Sequence, residues 1–169
     1  MGHESGPERR PTTEDVWRAI ERASFAVLSH LTPEGEPRSS GVVYVATGGR
    51  MYVAVAPDAW KARHLAADGR LAVTVPVRRG GLLSLLFPIP PATVSFHATA
   101  VVHPAGELPD EPKQLASLVP AERRAECRLI EIVPVGQFLT YGIGVSLNDL
   151  RSPALARARV PVEALHAAS

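Results

Sequence analysis

A chain of 169 residues with 18 Lys and Arg against 17 Asp and Glu carries a net charge of +1, which excludes a global attraction to nucleic acid or to an anionic membrane surface. Hydrophobic residues at 46% and charged residues at 21% describe one globular domain, long enough to bury a core without disulfides or metal. Cys127 is the single cysteine, so no intramolecular disulfide framework exists, and with a polar, signal-free start (MGHESGPERRP) a cytoplasmic setting is expected.

Residues 1–11 carry Pro7, Pro11 and mixed charge and are expected to be a flexible N-terminus. Thr12 with Asp15 three residues on is close to a capping box, and Val16, Trp17, Ile20 and Ala23 recur at helical spacing. An amphipathic helix is predicted there, with Glu14, Arg18 and Glu21 on its polar face. Ser24–Leu31 reads as the first strand, TPEGEP as a turn using Gly35, and Arg38–Ala46 as the second strand. Thr47–Arg50 closes the next turn toward a third strand, Met51–Val55, and the three are expected to form an antiparallel meander.

The stretch from Met51 to Val77 then reads as strand, short helix, strand. Asp58 is the expected helix cap and Gly69 the expected left-handed stop. Lys61 falls in the first helical turn, where free N–H groups and the macrodipole favour negative charge. That position is poor for a cation unless an anion binds beside it, since a lysine and free N–H groups together make a phosphate site. Arg70–Val77 is the next strand, and Arg78, Arg79, Gly80 and Gly81 open a Pro-rich connection whose apolar run to Val94 is too short to cross a bilayer.

Thr93–Val102 alternates, with Val94, Phe96, Ala98 and Ala100 on one face and His97 on the other. Helical patches are expected at Lys113–Leu118 and Ala121–Ala125. Arg128–Val133 and Gly136–Tyr141 read as a last strand bent near Pro134 and Gly136. In the tail, Asn148 and Asp149 suggest a turn, and Ser152-Pro153 starts a short helix. Domain boundaries follow as a flexible 1–11, a barrel domain over 12–141, and a tail over 142–169 packing on the barrel or on a partner subunit.

Chemical motifs are sparse. There is no Cys cluster and no HExxH, and the six histidines lack close ligand spacing, so no metal is expected. Walker A, GxGxxG and GxSxG patterns are absent, which leaves P-loop, Rossmann and serine-hydrolase chemistry without support. Aromatic content of 5% supplies no stacking platform for nucleic acid.

The segment FAVLSHLTPEGEPRSSGVVYVATGGRMYVAVAPDAWKARHLAADGRLAVTV resembles the pyridoxamine 5'-phosphate oxidase-like, flavin-binding split-barrel family in the order of its strands, Gly-containing turn and helix. The resemblance implies a mainly β fold, a six-stranded antiparallel split β-barrel with peripheral helices, assembled as a homodimer with the cofactor site at the subunit interface. The implied cofactor is FMN, with deazaflavin coenzyme F-420 as the alternative. Arg38, Ser39, Ser40, Gly41 and Val42 would then lie along the isoalloxazine and its polyol. Val53, Ala54 and Val55 would offer backbone groups to the ring, and Trp60 and Lys61 would meet the phosphate with Arg63 or His64 beside them. Where the family often has Ser followed by Arg-Lys, this chain has Ala59, Trp60 and Lys61, which removes one hydroxyl and one guanidinium.

These implications make the chain a flavin-dependent oxidoreductase that moves a hydride or electrons between the cofactor and a small organic substrate, with no side chain assigned as acid or base. Arg78 and Arg79 are candidates for the anionic tail of F-420. A non-catalytic module that holds a flavin or haem is the competing reading.

Overall fold

The structure, a computed structural model, describes residues 10–79, 91–107, 114–146, 149 and 152–162. Most of the expected flexible N-terminus, the core of the Pro-rich connection, Lys113 and Asn148 lie outside them.

Helix α1 (Thr13–Arg22) begins as the sequence predicts. The Thr12 hydroxyl accepts from the Asp15 N–H at 3.2 Å, and the Asp15 carboxylate accepts from the Thr12 N–H at 3.0 Å. Its buried stripe is Val16, Trp17 and Ile20. Antiparallel strands follow: β1 (Phe25–Leu31), β2 (Pro37–Val43), β3 (Val45–Thr47), β4 (Arg50–Val55), β5 (Arg70–Val77), β6 (Ala92–Val102), β7 (Arg128–Tyr141) and β8 (Arg157–Pro161). Helix α2 (Trp60–Ala67) joins β4 to β5, α3 (Leu115–Leu118) and a 3-10 turn (Ala121–Glu126) precede β7, and α4 (Pro153–Ala156) precedes β8.

Eight strands thus replace the six expected, for two reasons. The second predicted strand is two strands, because its first half pairs with β1 and its second half with β4. In addition, β8 pairs with β7 through Gln137–Tyr141. The sheet order is β2-β1-β5-β6-β7-β4-β3, which puts β2 and β3 at opposite ends although only Tyr44 separates them in the chain. A sheet whose two ends are one residue apart must curl on itself, so the expected three-strand meander is instead the seam of a half-closed barrel. Tyr44 is the corner. It is buried, and its hydroxyl donates to the Ile20 carbonyl at 2.6 Å, which ties the corner to α1 and, through burial, raises the phenol above its ordinary pKa.

Inside the curl, β6 buries Ala92, Val94, Phe96, Ala98 and Ala100 as its alternation predicts, while His97 is exposed. The bend expected near Gly136 is present. Gly136 takes a φ of 76°, and the β6–β7 register slips between Ser95 and His97 by two residues, which keeps Phe138 on the buried face of Ile130 and Ile132.

Gly69 corrects one expectation. It is not in the left-handed region, and Asp68 rather than Gly69 ends α2. Glycine is required because a Cβ there would lie 2.6 Å from the Ala100 carbonyl oxygen, a backbone atom that cannot swing away. Gly69→Ala is therefore expected to destabilise the fold by about 1–3 kcal/mol in urea denaturation, the usual range for overpacking. A loss under about 0.5 kcal/mol, that of an ordinary surface change, would refute the close-approach explanation.

Candidate functional site

Helix α2 is the element that gathers the residues singled out from sequence. The Ala56 carbonyl accepts from the Ala59 N–H at 3.0 Å, closing a turn with Pro57 at its second position, where proline's fixed φ belongs. That turn occupies Asp58, so the expected cap is displaced. Ala59 is the N-cap, it has no side chain to accept a hydrogen bond, and no acidic residue lies in the first turn. Asp58 is exposed and joins Lys61 in none of the ion pairs among the described residues. Lys61 consequently sits beside uncapped N–H groups, and among the described residues no carboxylate pairs with it.

A cavity of about 290 Å³ opens where α2 meets the ends of β2 and β4. Gly41, Val42, Val53, Ala54, Val55 and Lys61 line it, joined by Val43 and Leu118. Both strands present a free edge here. Among the described residues β2 pairs only with β1, and the β3–β4 ladder ends at Val45 opposite Tyr52, so on that side Val53–Val55 are beyond it. Backbone N–H and C=O groups of two strands are thereby left open to a planar ligand with ring nitrogens and carbonyls.

The other predicted residues of β2 divide by alternation. Arg38, Ser40 and Val42 share the register face of buried Leu28 and His30, whereas Ser39 and Gly41 share that of Ser29 and Val27. Five consecutive side chains of one strand therefore cannot all meet one ring. Ser39 is paired with Ser29, hydroxyl to hydroxyl at 2.8 Å, and the Ser40 hydroxyl is buried without a partner.

Trp60 and His64, four residues apart on one face of α2, turn to a residue that the sequence reading did not single out. His30 Nε2 lies 3.3 Å from His64 Nδ1, and the His30 and Trp60 rings stack at 5.6 Å and 25°. Burial, then His64 and Lys61, hold His30 below its ordinary pKa. The available signal was alternation, since His30 interrupts the buried row Ala26 and Leu28. Its partner is remote in sequence, which spacing rules do not reach.

Elsewhere, Glu131 is buried between Arg50 and His103, whose Nε2 lies 2.9 Å from the carboxylate. Although burial alone raises this carboxyl, His103 and Arg50 hold it below its ordinary value. Arg78 and Arg79 line a separate groove of about 1350 Å³ with Arg18, Arg22 and Phe25, away from α2, and Arg79 donates to the Val145 carbonyl. Among the described residues no group of three or more His, Cys, Asp or Glu could hold a metal ion, and no helix is long and apolar enough to cross a membrane.

Comparison with known proteins places these features. A family model described as pyridoxamine 5'-phosphate oxidase matches residues 12–131. No curated protein matches the sequence. Among solved structures, a heme binding protein from Mycobacterium smegmatis is similar at a TM-score of 0.65 and 20% identity, over 92% of this chain and 60% of that one. This chain thus spans about 60% of that protein's length. An FAD-binding protein from Mesorhizobium loti is similar at 0.56 and 15% identity, over 75% and 90% of the two chains. An F-420 reductase is similar at 0.53 and 16% identity, over 72% and 93%. At these identities the likeness is one of fold.

Proposed function

Because the chain belongs to the pyridoxamine 5'-phosphate oxidase family, we propose that it binds FMN at the α2 cavity and acts as a flavin-dependent oxidoreductase on a small organic substrate. The observation that carries this reading is one cavity that joins Lys61, which forms no ion pair among the described residues, to the free edges of two strands. Lysine and the uncapped N–H groups suit a phosphate, and the open backbone suits the hydrogen-bonding rim of an isoalloxazine. Bound flavin supplies hydride or electron transfer at its ring, while this chain fixes the phosphate, orients the ring and excludes water.

A homodimer belongs to the same proposal. Sites for ligands of this size usually occupy about 300–1,000 Å³, so about 290 Å³ leaves part of FMN to be covered by a second copy. The outward face of β1, β2, β5, β6 and β7 suits that role. Val43 is 64% exposed, Phe25 is exposed opposite it, and Val135 and Leu139 on β7 are exposed on the same sheet face. Four of its hydroxyls are paired, Ser29 with Ser39 and Thr74 with Ser95 at 3.1 Å, so burying these costs little desolvation. Gly41 and Val43 belong both to this face and to the cavity.

Titration of the purified protein with FMN, followed by flavin fluorescence quenching and light scattering, tests the proposal. A dimer that binds FMN with Kd at or below about 10 μM is expected. A monomer with no quenching at FMN concentrations tenfold higher contradicts it. F-420 and haemin run in parallel read the competing cofactors, and preferential binding of either replaces FMN in the assignment.

A further inference from the structure

The histidine pair beside Lys61 has no part in the reading above, yet it is built as a site. His30 is 4% exposed and its Nδ1 meets no partner among the described residues, while Trp60 stacks on His30 and tilts against His64 at 5.4 Å. Lys61 Nζ lies 5.7 Å from the centre of the same indole. Charged groups face the pair from three elements: Lys61 from α2, Glu34 from the β1–β2 turn, and Arg38 opposite His30 on β2. On β5 the register partner of His30 is Leu71, and the buried residues of β6, which packs on α2, are all apolar.

The proton count of this pair decides what it does. Two neutral imidazoles joined by one N–H···N bond hold two protons, one in the bridge and one at an outer nitrogen, so either His30 Nδ1 or His64 Nε2 is bare. One added proton fills both outer nitrogens and gives the pair a positive charge. In the free protein burial and the nearby Lys61 oppose that charge. A dianion beside Lys61 reverses the balance.

We propose that His30 and His64 take up one proton when a phosphomonoester dianion binds beside Lys61, so that the imidazole pair supplies a second positive charge close to the anion site. This rests on Lys61 as the phosphate contact. A proton gained on binding makes affinity fall as pH rises, by up to about tenfold per pH unit between the lowered pKa of the free pair and the raised pKa of the bound pair. Because binding draws on a proton, the site is tighter for FMN in mildly acidic solution than in alkaline solution.

Calorimetric titration of the whole protein with FMN near about pH 7.5, in two phosphate-free buffers of different ionisation enthalpy, measures the uptake directly. FMN itself titrates near about pH 6, so the readout is the difference between wild type and His64→Gln. Uptake is expected to approach one proton in wild type and to fall to the FMN contribution alone in the variant, with the thermal midpoint recording that it folds. Imidazole proton shifts of the wild type, titrated with and without FMN, give a readout free of any variant, and an upward histidine pKa is expected with FMN. Equal uptake in both proteins, or histidine titrations unmoved by FMN, overturns the histidine proposal and leaves Lys61 as the phosphate contact. Equal affinity for FMN and phosphate-free riboflavin, or no binding of either, overturns both.

Discussion

Phe138→Ala is expected to cost about 3–5 kcal/mol of folding stability, the range for truncating a buried aromatic. Phe138 is fully buried, and its ring meets Trp17 edge-on at 5.5 Å and Phe96 at 5.2 Å. It thereby joins α1, β6 and β7, and it stands opposite Val160 of β8. Truncation opens a void that three elements share, and none can close it alone, because Trp17 is fixed by the capped α1 and Phe96 by its pairing with Val73 of β5. Domains of this kind hold about 5–15 kcal/mol in total, so the variant loses about a fifth or more of its stability. Urea denaturation should show the midpoint falling with the slope unchanged. A loss below about 1.5 kcal/mol would mean that the void collapses and that Phe138 is not the keystone described.

Lys61→Ala is expected to weaken FMN binding by about tenfold to a hundredfold, the worth of a charge-assisted hydrogen bond, with riboflavin affinity changed by less than about threefold. Folding stability should stay within about 0.5 kcal/mol of wild type. The two expectations belong together. A cation in the first turn of α2, with no acid there and no capping side chain, opposes the helix dipole, so its removal relieves the fold while it damages the site. Lys61→Arg should recover most of the FMN affinity. Loss of stability in Lys61→Ala without loss of FMN affinity would make the residue structural instead.

Sequence legibility followed the range of the interaction concerned. The α1 cap, the β6 alternation and the β7 bend near Gly136 are written in neighbours a few residues apart, and each is where the sequence puts it. Val42, Val43, Tyr44 and Val45 read as one uninterrupted strand, because nothing local shows that Tyr44 turns a corner to reach Ile20. Gly69 reads as a helix stop, because its actual constraint, the Ala100 carbonyl, arrives from β6. Asp58 reads as a cap until the Pro57 turn is seen to use it. The strand β8 escaped notice because RARVP is short and arginine-rich, without the apolar alternation of an inner strand.

At the site, Gly41, Val42, Val53, Ala54, Val55 and Lys61 converge on one cavity. Trp60 and His64 pack instead around His30, a residue whose importance depends on a partner 34 positions away.

The central claim is that Lys61 and the uncapped start of α2 hold the phosphate of a flavin. Equilibrium binding of FMN and of riboflavin to the same preparation, differing in that phosphate alone, tests it most directly. FMN is expected to bind at least about tenfold more tightly. Equal affinities, or tighter binding of riboflavin, would contradict the claim.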